Sequence, residues 1–92
     1  MVKQSEIEEF LNRRLAATTS QIARFFGKRK QYIEIILKKM YFAGKLKAIE
    51  AYEYFPGART CVRCIYWCLP KYYKRALRWL NRHPLIVAKP KK

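Results

Sequence analysis

The sequence predicts a small α+β fold, mostly helical, in which three helices precede a β-hairpin and a fourth helix follows it. Three observations carry this expectation. Apolar residues recur at helical spacing in three successive N-terminal segments. Residues 46–67 then change to β-formers on both sides of a Pro-Gly turn. A last helical pattern opens after Pro70. With 92 residues, 51% of them hydrophobic, the chain can build one modest core and is not a disordered polybasic segment.

The elements follow in order. Ser5 precedes Glu6, Glu8 and Glu9, which suit the positive end of a helix. Ile7, Phe10, Leu11 and Leu15 continue it, so a first helix is expected over about 5–14. Ala16-Ala17-Thr18 is short and could add a minor strand. Thr18, Thr19 and Ser20 offer a choice of cap for a second, two-turn helix with Ile22, Ala23 and Phe26 on one face. Gly27 can take the left-handed conformation that ends it. A third helix begins near Arg29. Ile33, Ile36, Leu37 and Met40 form its buried stripe, and Arg29, Lys30, Gln31, Glu34, Ile35, Lys38 and Lys39 its opposite face. Ala43-Gly44 closes it. Leu46–Tyr54 and Thr60–Trp67 read as two antiparallel strands joined by Phe55-Pro56-Gly57-Ala58-Arg59. The fourth helix, over 70–82, puts Tyr73, Leu77 and Leu80 on one face, with Tyr72, Ala76 and Trp79 beside it. Residues 1–83 are therefore expected to form one domain, and 84–92, with two Pro and three Lys, a loose basic tail.

Charge points to the partner. Lys plus Arg total 21 against 6 acidic residues, a net charge of +15. Such an excess opposes compaction unless a polyanion neutralises it, and it is the footprint expected of a nucleic-acid-binding domain. The charge is uneven. Residues 28–47 hold seven bases (Lys28, Arg29, Lys30, Lys38, Lys39, Lys45, Lys47) and one acid, Glu34; residues 70–92 hold eight bases and no acid. A membrane-surface peptide would need one dominant basic amphipathic helix, whereas this chain has several distinct segments. No apolar run approaches the roughly 20 residues of a membrane span. The first residues lack the apolar stretch of a secretory signal, so an intracellular location is expected.

The run Ile22-Ala23-Arg24-Phe25-Phe26-Gly27-Lys28-Arg29-Lys30-Gln31-Tyr32-Ile33 resembles the winged-helix signature. The run Ile36-Leu37-x-x-Met40-x-x-Ala43-Gly44-x-Leu46 resembles its continuation into the wing. The likeness covers residues 19–67. It is to the MarR-like regulators, and closer still to the small winged-helix proteins of Sulfolobus viruses. At one position the chain departs from the pattern: Arg29 stands where Ser or Thr usually caps the recognition helix. The resemblance implies a winged helix-turn-helix with a C-terminal dimerisation helix. It implies homodimers bound to double-stranded DNA, and a source in an archaeal virus, hence the cytoplasm of its host cell. Absence of Asp, one Met besides the initiator, and abundant Lys, Arg, Ile and Tyr fit a hyperthermophile.

Carried onto this chain, the match assigns Arg29, Lys30, Gln31 and Glu34 to the floor of the major groove. Arg or Lys suits guanine, Gln adenine, and Glu the amino group of cytosine. Lys28, Lys38 and Lys39 are expected at phosphates, with Lys47 and Arg59 as wing contacts. The plain alternative for each charge is a solvated helix face. The dimer seam is expected between Phe10 and Leu11 of the first helix and Tyr73, Leu77 and Leu80 of the fourth. Aromatics make up 15% of the chain. Tyr32, Tyr41, Phe42, Tyr52, Tyr54, Tyr66 and Trp67 could stack on bases, but core and interface building is the simpler use of them.

Cys61, Cys64 and Cys68, with His83, have a formal zinc composition. On a straight strand, however, Cys61 and Cys64 point to opposite faces. Three residues of strand also span about 10 Å, beyond the roughly 7 Å that a disulfide tolerates between Cα atoms. Buried free thiols and an intersubunit disulfide both remain open on the residues; the family resemblance favours the disulfide. No cofactor, metal or small-molecule ligand is expected. An enzyme is disfavoured, since with one His and no Asp only Glu50 and Glu53 lie close, on opposite faces of a strand. Duplex DNA regulation is the favoured reading; non-specific architectural binding and RNA binding are its rivals.

Overall fold

A computed structural model describes residues 1–57 and 60–90. The order is α1 (Gln4–Arg14), β1 (Ala17–Thr18), α2 (Thr19–Phe26), α3 (Lys30–Phe42), β2 (Lys47–Tyr54), β3 (Cys61–Cys68), a 3-10 turn (Pro70–Tyr72), α4 (Tyr73–Arg82) and β4 (Ile86–Pro90). The fold is α+β, with a four-stranded antiparallel sheet ordered β1-β3-β2-β4.

Local chemistry sets the boundaries. α1 starts one residue before Ser5: the Lys3 amide donates to Glu6 Oε1 at 3.0 Å, so the glutamate reaches back over the first turn. At α2, Thr18 Oγ1 accepts from the Gln21 amide at 3.2 Å and Gln21 Oε1 from the Thr18 amide at 3.1 Å, a reciprocal cap. Gly27 (φ 65°) ends α2 in the left-handed conformation, as its position in the sequence suggests. Arg29 sits at the N-cap of α3 with extended backbone and no side-chain cap, so α3 lacks the hydroxyl bond that Thr18 gives α2.

The sheet has helices on both faces, and strand alternation explains how. Ala48 and Trp67 face one way and join Ile7, Phe10, Leu11, Ile22, Ala23, Ile33, Leu37, Met40 and Leu46 in a core beneath α1, α2 and α3. Ile49, Ala51, Tyr66 and Cys68 face the other way and pack with Ala76 and Leu80 of α4 and Ala88 of β4. Trp67 occupies the centre of the first layer. Ala17 and Ala48 flank it in register, small enough to admit the indole, and its Nε1–H donates to Thr19 Oγ1 at 2.9 Å in a buried bond.

Two expectations are corrected here. Residues 84–92 are not wholly a loose tail, because Ile86–Pro90 form β4 against β2, with Ala88 opposite Ala51. The pairing is reinforced by Asn81 Oδ1, which accepts from the Ala88 amide at 2.9 Å. The free edge of β2 supplies the ladder that a short Ile-Val-Ala run cannot form alone. The dimer seam drawn on Phe10, Leu11, Tyr73, Leu77 and Leu80 also fails as drawn. Phe10, Leu11 and Leu80 are buried within the chain's own layers, and Tyr73 and Leu77 pack against the α4 layer. The apolar side of α4 is satisfied by its own sheet.

Candidate nucleic-acid interface

α3 presents its outward face at 4-3-4 spacing: Gln31, Ile35, Lys38 and Phe42 fall along one line of the helix, opposite buried Ile33, Leu37 and Met40. Ile35 and Phe42 are 57% and 81% exposed, an apolar pair in a cationic field. Lys28, Arg29, Lys30 and Lys39 are exposed around them. Glu34 lies to one flank, half-buried, with Oε1 3.8 Å from Lys38 Nζ. That pair is exposed and worth little in water, so an approaching phosphate can take the lysine.

The flank carrying Lys30 and Glu34 opens onto a groove of about 650 Å³. It is also lined by Ser20 and Gln21 at the start of α2, and by Arg63 and Ile65 on β3. Three elements distant in sequence thus converge: the second helix by its N-terminal turn, the third by its side, and the hairpin by one strand. Trp67 lies at the back of the groove, and its bond to Thr19 ties α2 to β3.

Beyond the groove, Glu50 accepts from Arg63 Nη2 at 2.9 Å and from the Tyr52 hydroxyl. The bond to Glu50 holds Tyr52 above its ordinary range and raises the Arg63 guanidinium too. Arg63 is a cation that the sequence reading passed over. Alternation on β3, with Trp67 two rungs along facing the helices, was the signal that could have placed it. Lys47 stands at the base of the hairpin, opposite Cys68, far along the strand from the turn. Arg59 lies outside the described residues.

Of the aromatics, Tyr66 and Trp67 are core, and Tyr41 packs edge-on to Trp67 at 5.9 Å between ring centres. Phe42 and Tyr54 are exposed, contrary to a uniform core role. Glu53 faces the α4 layer, away from Glu50, and accepts from the Tyr66 hydroxyl at 2.8 Å. Burial first, then Glu53, pushes the Tyr66 hydroxyl well up. Cys68 is fully buried and Cys64 half-buried, its Sγ 3.7 Å from Glu53 Oε1. Burial pushes both thiols up to about 11, with Glu53 adding to the shift at Cys64. Within the chain all three cysteines are free, and buried Cys68 cannot reach a partner subunit without unfolding the α4 layer. Among the described residues no three His, Cys, Asp or Glu side chains gather in metal-binding geometry, and no helix is long and apolar enough to cross a membrane.

Compared with protein-family models, curated proteins and solved structures, the chain matches none of them.

Proposed function

We propose that this chain binds duplex DNA as a winged helix-turn-helix regulator, with α3 in the major groove and the β2–β3 hairpin as the wing. The observation that carries the reading is the convergence of the α2 N-terminal turn, the Lys30–Glu34 flank of α3 and Arg63 of β3 on one groove, beside the exposed lysines of the outward face of α3. A major groove about 12 Å wide admits one helix. In that pose Gln31 reads a base edge and Ile35 meets a thymine methyl, while Lys28, Lys38 and Lys39 hold phosphates. Phosphate contacts position the protein, and base contacts give it a sequence preference. The homodimer belongs to the proposal, with its seam elsewhere than on Phe10, Leu11 and Leu80. The net charge of +15 favours a second reading, a sequence-blind architectural binder.

The test is duplex affinity across a salt series for the wild type and for Lys38→Ala/Lys39→Ala. Loss of two phosphate contacts makes the slope of log K against log salt shallower by about 1.8. Between 50 and 200 mM that amounts to roughly a 12-fold difference in how much affinity is lost. An unchanged slope removes α3 from the interface. Gln31→Ala, by contrast, is expected to shrink the gap between a selected duplex and random DNA while leaving the slope alone.

A further inference from the structure

We propose that the outer face of α4 is a second nucleic-acid site that takes a single strand: an unpaired base stacks on Trp79, and its neighbouring phosphates meet Arg75, Arg78 and Arg82. The site is separate from the α3 groove and does not depend on the duplex reading.

Spacing puts the four residues together. Positions 75, 78, 79 and 82 share one side of a helix, while Ala76 and Leu80 are buried against the sheet. With Leu15 they enclose a hollow of about 340 Å³. Leu15 reaches it through a tight γ-turn at the end of α1, where φ is 72° and the Ala16 amide donates to the Arg14 carbonyl at 2.8 Å. That is a strained backbone for a leucine, and such strain is found where a side chain is held in place for contact. Trp79 is 50% exposed, and among the described residues no aromatic ring or cation stacks on it. None of the three arginines is in an ion pair among those residues. No acid follows Glu53 in the sequence, while Lys71 and Lys74 extend the positive field.

This composition selects the occupant. Unpaired guanidiniums around a hollow call for a polyanion. A duplex buries its base faces in its own stack, so an exposed indole within the hollow is of no use to it; a single strand offers a free base face at each nucleotide. A second copy docking by the same face would set these cations against themselves, a repulsive contact. Since α4 and α3 lie on opposite faces of the sheet, both sites can be filled at once.

Labelled oligothymidylate of about 10 nucleotides, within the span of known single-strand sites, tests this with the full chain. Trp67 is buried, so quenching of the exposed indole reports on Trp79. The expected results are quenching on addition of the strand, a loss of affinity of about 10-fold or more for Trp79→Ala, and a comparable loss for Arg78→Ala/Arg82→Ala. Both variants should keep wild-type duplex affinity. Lys38→Ala/Lys39→Ala should bind the strand normally, which separates this site from the α3 reading. Wild-type strand affinity in Trp79→Ala, or stoichiometric displacement of the strand by duplex, overturns the proposal. So does capture of anionic phospholipid vesicles by α4 without capture of the oligonucleotide.

Discussion

The bond from Trp67 to Thr19 joins the helical layer to the hairpin, and Thr19→Val tests what it is worth. Valine matches threonine in shape, so packing is retained while the acceptor is lost. The indole is 6% exposed and Thr19 8%, so the bond is largely out of solvent. An orphaned buried donor costs about 1–3 kcal/mol. For a domain of this size each kcal/mol lowers Tm by roughly 4–8 °C, so a fall of at least about 4 °C is expected. Thermal and urea unfolding followed by circular dichroism measure it. A double-mutant cycle sharpens the reading. In a Trp67→Phe background, where the donor is absent, Thr19→Val should cost only a few tenths of a kcal/mol. Equal costs in both backgrounds would show that the loss comes from packing or from the start of α2, and the bond would not be the tie between layers. Because α2 and β3 both line the groove, loosening this tie should also weaken duplex binding more than an equally destabilising change in the α4 layer.

Further predictions follow from the same geometry. Truncation after Leu85 removes β4, uncovers the edge of β2 and exposes the core around Ala51; it should lower Tm and promote association through the bare strand, measured by light scattering. Thr18→Ala deletes the α2 cap and should cost about 1 kcal/mol in urea unfolding, whereas Arg29→Ala at the N-cap of α3 removes no cap bond and should cost far less. Cys64 and Cys68 are held up near 11 against an ordinary value of 9.0. Between those values the native state binds more protons than the unfolded one, so stability should be level below pH 9 and fall from 9 towards 11. Iodoacetamide at pH 8 should accordingly alkylate Cys61 well ahead of the other two, since only roughly one in a thousand of the shifted thiols is ionised there.

Much of this molecule is legible in its sequence because the signals are local. The Thr18 cap, the left-handed Gly27, the Ile33-Leu37-Met40 stripe and the Pro-Gly turn each follow from a few neighbouring residues. Strand parity also separates Cys61 from Cys64, and Glu50 from Glu53, without any structure. What the sequence hid is non-local. An amphipathic α4 has the same pattern whether its apolar side meets a second copy or its own sheet; only the fold shows Leu80 packed beneath Ile49, Tyr66 and Cys68. Likewise Ile86-Val87-Ala88 is too short and too near two prolines to announce a strand, and becomes one because β2 offers a free edge. At the candidate interface the charges were evident from composition. That Arg63 shares one groove with the start of α2 and with Lys30 and Glu34 of α3 is a non-local fact that needed the fold.

Selection of duplexes from a random library by this chain shows whether α3 reads bases. If it does, the selection enriches a pseudo-palindrome whose half-sites lie about 34 Å apart, one helical turn, bound far more tightly than random DNA and dependent on Gln31. A library that emerges unenriched, with every duplex bound alike and with the same steep salt dependence, would contradict that reading and leave an architectural binder.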